Sequence, residues 1–217
     1  MPSIKRSAQR KDLGFTQAEF AVLKRLSTPQ KIQDFVTAIP ENFEPQGDTC
    51  LSVREVLRQR RAHCIEASML AACALWIRGE PPLLMDMKAA HDFDHVVALF
   101  RRRGCWGAIT KSNDVLLRCR DPVYRTLREL AMSYFEHYYN PAGEKTLRAY
   151  SRPVSLKRFD LIRWLTAEED LWTIPEYLCT INHTPLLTAP VERHLNRMDA
   201  RLKAAGMVGS ARKPMVK

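Results

Sequence analysis

Four residues near the middle of the chain, Gly79-Glu80-Pro81-Pro82, separate two kinds of pattern. Before them, residues 64–77 carry Ile65, Met69, Leu70, Cys73, Ala74 and Ile77, an apolar set at helical spacing over a broad face. Gly79 suits the left-handed residue after a helix, and the two prolines forbid its continuation. After them the period changes. Residues 83–87 form a short strand pattern, and residues 95–101 a stronger one with Val96, Val97, Ala98, Leu99 and Phe100. Arg103-Gly104 reads as a tight turn, so residues 105–111 return as the partner strand.

The flanks are helical. Thr16 caps a helix over residues 17–26, and Thr28-Pro29 opens a second over 30–38. A Pro, Asn, Gly and Asp-rich loop covers residues 40–48. Ser52 and Glu55 have capping-box spacing for a third helix through about residue 60. Downstream of Asp121-Pro122, residues 123–139 repeat apolar side chains helically and place Tyr134, Phe135, Tyr138 and Tyr139 mostly in a core, with His137 outward. Residues 146–154 read as a strand, 159–165 and 172–179 as helical, 182–185 as a loop, and 191–205 as a last amphipathic helix. Helices, then a small sheet, then helices predict an α+β fold, helices packed on a small antiparallel sheet, and not a doubly wound one. The expected organisation is a polar, basic segment over 1–14, one domain over 15–205 with a C-terminal helical extension, and a disordered basic tail over 206–217.

A length of 217 residues with 46% hydrophobic content supports one sizeable core. No apolar run reaches the ~18–20 residues of a membrane span, and residues 1–11 lack the apolar stretch of a secretory signal. A cytoplasmic, membrane-free protein is expected. The six cysteines are too few and irregular for a disulfide framework, and none stands at zinc spacing. The net charge of +10 gathers at 5–11, 58–61, 101–103 and 212–217. Such runs are solvated tails and turns, and with no zinc-finger or RNA-recognition signature, specific nucleic-acid binding is not expected.

The chemistry centres on Cys64. A helix N-terminus has unpaired N–H groups and a positive dipole end, which favour a thiolate and later an oxyanion. His95, opening a strand, is the candidate base. His63 reads as exposed, because neighbours on a helix point in different directions. Asp92 and Asp94 beside His91 suggest no metal, since a contiguous stretch rarely converges on an ion. No cofactor is expected.

Residues 61–113 resemble the transglutaminase-like core, of the cysteine-proteinase-like type. Ala62-His63-Cys64 opens the helix, Ser68, Leu70, Cys73 and Leu75 fill its small and apolar positions, and Gly79-Glu80-Pro81 matches its ending. His95-Val96-Val97-Ala98-Leu99 matches the family's histidine strand, and Gly104-Cys105-Trp106 the Gly-x-Trp of the return strand. Ala62 stands for the usual Gly and Val97 for the usual aromatic. Thr110 stands where the family has its Asp. The resemblance implies a cysteine-dependent acyl transferase or amide or peptide hydrolase, with Cys64 as nucleophile, His95 as base, and a peptide or amide-containing substrate.

The third residue is sought by register. A two-residue turn at Arg103-Gly104 pairs Arg102 with Cys105, and stepping back brings His95 opposite Ser112. Thr110, Ser112 and Asp114 then share its face, whereas a bulge would bring Lys111 or Asn113 round. Asn113 is chosen, with Ser112 and Asp114 as alternatives, because an amide carbonyl can orient an imidazole. A catalytically inactive binding or adaptor module is the other reading, supported by the absent Asp and the excess positive charge.

Overall fold

The computed structural model describes residues 8–44 and 47–210. Among the described residues five helices precede the first strand: α1 (Arg10–Leu13), α2 (Gln17–Arg25), α3 (Pro29–Ala38), α4 (Val53–Gln59) and α5 (Cys64–Ile77). Their starts are written in side chains. The Thr16 hydroxyl accepts from Glu19 N–H at 3.2 Å while the Glu19 carboxylate accepts from Thr16 N–H at 2.7 Å. Thr28 accepts from Lys31 N–H with Pro29 in the first turn, and Ser52 accepts from Glu55 N–H. Such caps are each worth roughly 1 kcal/mol.

Helix α5 is buried on every side except at Cys64 and Trp76, so it is a central helix and not merely a broad-faced one. Helices α2, α3 and α4 surround it on one side and the sheet covers the other. Its alanines, Ala67, Ala71, Ala72 and Ala74, are all fully buried and leave room for that close approach. Gly79 has φ 85°, the left-handed conformation that ends the helix.

The sheet is antiparallel, in the order β4-β3-β2-β1-β5-β7, with β6 also beside β1. Its strands are β1 (Leu83–Ala89), β2 (His95–Arg102), β3 (Cys105–Ile109), β4 (Arg120–Tyr124), β5 (Leu147–Ser151), β6 (Val154–Ser155) and β7 (His183–Pro185). One core unites the N-terminal helices with Leu84, Val96, Ala98 and Phe100, and a second unites Met85, Met87, Val97 and Leu99 with α6 (Leu127–Phe135). The alternation along β2 thus divides the interior into two layers, one on each side of the sheet. The fold is α+β.

The β2–β3 turn is the expected one. Arg103 and Gly104 both have positive φ, 48° and 85°, and Arg102 pairs with Cys105. Gly107 has no tolerance for a side chain, since a Cβ would lie 2.4 Å from the Phe100 ring and 2.8 Å from the Arg120 carbonyl.

Several elements differ from expectation. Residues 120–124 are a strand, not the approach to a helix. Pro122 is accepted because β4 lies at the sheet edge, and α6 starts later, capped by Thr126 on Glu129 N–H. Residues 183–185 form the opposite edge strand instead of a loop. The last amphipathic pattern breaks into α8 (Ala189–Glu192) and α9 (Ala200–Gly206). Asp199 caps a new start through the N–H groups of Arg201 and Leu202. The segment over 172–179 is helical as α7 (Thr173–Thr180), and the helix expected over 159–165 is instead a 3₁₀ turn, Leu156–Ile162, that ends at Arg163.

Of the basic N-terminal segment, residues 8–14 are described, and Ala8 and Leu13 are buried in the core. Of the tail expected from residue 206, residues 206–210 are described: Gly206 packs on the Asp114 carboxylate and Ser210 Oγ donates to the Asn113 carbonyl at 2.6 Å. Residues 1–7 and 211–217, which hold much of the expected terminal charge, lie outside the described residues. Among the described residues no helix is long and apolar enough to cross a membrane.

Candidate active site

Cys64 is the first residue of α5, as its sequence implies, and it lines an open cleft of about 600 Å³. Two imidazoles, His63 and His95, act on its sulfur. Burial alone would push the thiol up. The hydrogen bonds and positive charges of His63 and His95 outweigh it and hold Cys64 well below its ordinary range. The other cysteines whose shifts are resolved move the opposite way. Burial pushes up Cys50, Cys73 and Cys179, and takes Cys119 up to about 11. Cys64 therefore stands apart chemically.

The start of α5 is tied down from beneath by Glu66, which is fully buried. Its carboxylate accepts from the N–H of His63 at 2.9 Å, the N–H of Leu51 at 2.8 Å, the Thr49 hydroxyl at 3.0 Å and the Asn42 amide at 3.2 Å. Four donors on one carboxylate tie the helix start to Asn42, Thr49 and Leu51, of which Asn42 and Thr49 line the cleft. The His63-x-x-Glu66 spacing is that of a capping box with histidine at the cap, a signal present in the sequence and not read there.

His63 corrects the expectation of an exposed bystander. Its side chain is 23% exposed and turned into the site. His63 and Cys64 do not diverge as helical neighbours do, because His63 is the cap and its backbone is extended, φ −102° and ψ −171°. Its Nε2 lies 3.0 Å from the Thr49 carbonyl, 3.4 Å from Glu44 and 3.5 Å from Glu66. Burial opposes a charged imidazole there. The Cys64 contact, the Glu66 carboxylate and the Thr49 carbonyl prevail and raise His63 to about 10. His63 is therefore an imidazolium at neutral pH.

His95 opens β2 opposite Met87 and is 6% exposed. The Tyr138 ring meets its ring edge-on, centroids 6.3 Å apart, and the Tyr138 hydroxyl donates to the Phe93 carbonyl at 2.5 Å. Tyr138 is thus core, as expected, and also a wall of the site. His95 Nε2 has no hydrogen-bond partner among the described residues.

The expected third member, Asn113, does not fill that place. The β2–β3 register runs as predicted from Arg102–Cys105 to Ala98–Ile109, and then the pairing stops. Thr110 turns away: its N–H donates to Gln33 and its hydroxyl to the Val96 carbonyl at 2.8 Å. Lys111 follows, its ammonium on the Ile39 carbonyl at 2.8 Å and 3.4 Å from Glu41. Ser112 and Asn113 line the same cleft as Cys64 and His95, but the bond from Asn113 to His95 Nε2 is not made. Asp114 caps the short turn Val115–Leu117 through Leu116 N–H and faces Gly206. Among the described residues no group of three or more His, Cys, Asp or Glu side chains is arranged to hold a metal. The sequence matches no protein-family model and no curated protein.

Proposed function

We propose that the chain is a cysteine-dependent acyl transferase or amide hydrolase with a transglutaminase-like core, acting on a peptide or other amide. The observation that carries this reading is the Cys64 thiol at the start of a helix, lining the same open cleft as His63 and His95, which hold its pKa well below the ordinary range. The order of helix, histidine strand and Trp106 strand supports it as well.

In the first step the Cys64 sulfur bonds to the substrate carbonyl carbon, and the carbonyl electron pair moves to oxygen. The backbone N–H groups at the start of α5 lack intrahelical partners and are suited to receive that oxyanion. Collapse re-forms the carbonyl and breaks the bond to the leaving amine, which takes a proton from the His95 imidazolium. Water or an amine then attacks the thioester, gives its proton to His95, and expels the Cys64 thiolate. His63 has a different part. Held charged by its carboxylate and carbonyl neighbours, it stabilises the thiolate but is poorly suited to give up a proton at neutral pH.

An inert binding module is the second reading, favoured by the unpartnered His95 Nε2 and by Thr110, whose hydroxyl is committed to the Val96 carbonyl. Alkylation with iodoacetamide at about pH 6, mapped by mass spectrometry, separates the two, since only a stabilised thiolate reacts well below the free thiol pKa of ~8.5. The enzyme reading expects Cys64 to be labelled first and alone. Labelling of Cys64 only after unfolding would end it.

A further inference from the structure

The protein carries a formal charge of +10, yet its cleft gathers the opposite sign. Glu41, Glu44, Asp48, Asp92 and Asp94 all line it. Two of these have cationic neighbours: Glu41 has Lys111 at 3.4 Å and Glu44 has His63 at 3.4 Å. Asp48, Asp92 and Asp94 form no ion pair among the described residues.

Asp92 and Asp94 are fixed, not floppy. Asp94 accepts from the Ala89 N–H at 2.7 Å, and Asp92 accepts from the Phe93 N–H at 2.9 Å and the Thr146 hydroxyl at 2.8 Å. These bonds orient two carboxylates without neutralising them. Both line the same cleft as Cys64 and His95, and Asp94 adjoins His95 in the chain. Phe93 between them is 91% exposed, and Trp172 on the same cleft is 41% exposed. Large apolar side chains left in water beside a cleft mark a contact surface. The same wall contains His95, buried to 6% exposure with its Nε2 unpartnered, an independent sign that the cleft is completed by a ligand.

We infer that the cleft takes a cationic stretch of polypeptide, with a lysine or arginine side chain held against Asp92 and Asp94 and its apolar neighbours against Phe93 and Trp172. The inference rests on the reading of Cys64 as the nucleophile and adds the class of substrate. Negative potential focused in a cleft raises the local concentration of cations, and the excess positive charge elsewhere turns them away from the remaining surface. An anionic peptide meets the reverse.

The test is a matched set of dipeptidyl chloromethyl ketones with Lys, Arg, Leu or Glu next to the reactive carbon, reacted with the full chain, with iodoacetamide as the neutral control. The Lys and Arg reagents are expected to modify Cys64 at least tenfold faster than the Glu reagent, with Leu between. That spread should shrink in high salt, where the Debye length falls to about 3 Å. The double substitution Asp92→Asn and Asp94→Asn should collapse the Lys-to-Leu ratio towards one; the salt series on the unaltered protein carries the test should that variant not fold. Equal rates for the four reagents, a Glu reagent that is fastest, or a Lys preference untouched by salt would each overturn the inference while leaving the nucleophile intact. Failure of iodoacetamide to label Cys64 is a different result, and it removes the nucleophile itself and the substrate class with it.

Discussion

Two histidines with little-exposed side chains open strands of the same sheet, and they are in opposite states. His183, first in β7, is satisfied on both sides: Nδ1 lies 2.8 Å from the Ile181 carbonyl and Nε2 lies 2.7 Å from Asp86. Because Nδ1 faces a carbonyl, it must donate, and Asp86 then shares the other proton. Ser151 on the intervening strand accepts from Asp86 N–H and is small enough to let the imidazole reach across. Burial pushes the Asp86 carboxyl up to about 6 even with His183 against it. His95, first in β2, is buried too, but its Nε2 is left without a partner beside an open cleft and a thiol whose pKa is held low. Burial does not distinguish the two. Unspent hydrogen-bonding capacity does, because buried polar groups are normally satisfied and an exception calls for a ligand or a reaction.

The largest effects should come from removing the chemistry on one side of this comparison. Cys64→Ala should abolish alkylation at about pH 6, and His95→Ala should slow it by roughly tenfold or more by raising the thiol pKa, the fold remaining intact. Mass spectrometry of each thiol, with circular dichroism for the fold, reads both. A His95→Ala protein that alkylates like the parent would make His63 the sole support of the thiolate.

The matching change on the other side should act on stability instead. His183→Ala leaves the Asp86 carboxyl buried without its partner, a loss of about 3–5 kcal/mol for a buried pair. At ~2–4 °C per kcal/mol for a chain of this size, thermal denaturation should fall by roughly 10 °C. His95→Ala should cost far less, since it breaks no hydrogen bond at Nε2. Equal destabilisation by both would erase the distinction between them.

His63 sharpens the comparison by pH. Its pKa is raised from 6.5 to about 10, so its contribution to stability is complete below 6.5 and is lost as pH rises through 10. Cys64 is lowered from 9.0, so its contribution is present above 9 and is lost as pH falls. Between these limits the two slopes oppose, because a neutral pair in the unfolded chain and an ion pair in the fold bind the same number of protons. Urea midpoints of the parent should therefore change little from pH 7 to 9 on this account. Cys64→Ala should unmask a decline with rising pH, since Glu66 and Thr49 still favour the charged His63, and adding His63→Gln should flatten it. A decline that survives the His63 change belongs to another group.

Much of this was legible in the sequence, and where legibility stopped has a physical cause. Caps at Thr16, Thr28 and Ser52, the start of α5 at Cys64 and the Arg103-Gly104 turn are local codes, and local codes are readable. The edge strands β4 and β7 were missed because short strands of five and three residues are held by pairing with distant partners, not by their own pattern. The Asp86–His183 pair was out of reach for the same reason, its members standing 97 positions apart. His63 and Glu66 are a separate case. Their three-residue spacing was visible, but histidine is an uncommon cap, and a helical rule was applied to a residue that is not yet helical.

The smallest expected effect concerns Asn113, and it tests how far register arithmetic can be carried. The arithmetic assumes that a ladder begun at Arg102–Cys105 continues to the end of both strands. It does so only to Ile109, because the Thr110 N–H goes off the sheet to Gln33 of α3, while its side-chain hydroxyl, not its backbone, meets the Val96 carbonyl of β2 that also accepts from Ser68. Once the strand lifts away, parity no longer says which side chain faces His95. Asn113 is then anchored through its own carbonyl by Ser210, and its amide is left in the cleft without a hold on the imidazole. Asn113→Ala should accordingly change the rate of Cys64 alkylation by less than about threefold, against tenfold or more for a base that carries the proton. Measured on the free protein and again during reaction with the lysine chloromethyl ketone, the variant separates two cases. A small effect in both leaves His95 oriented by Tyr138 packing alone. A loss confined to the peptide reagent would mean that substrate draws Asn113 onto Nε2, and the third member is then assembled by binding, not by the fold.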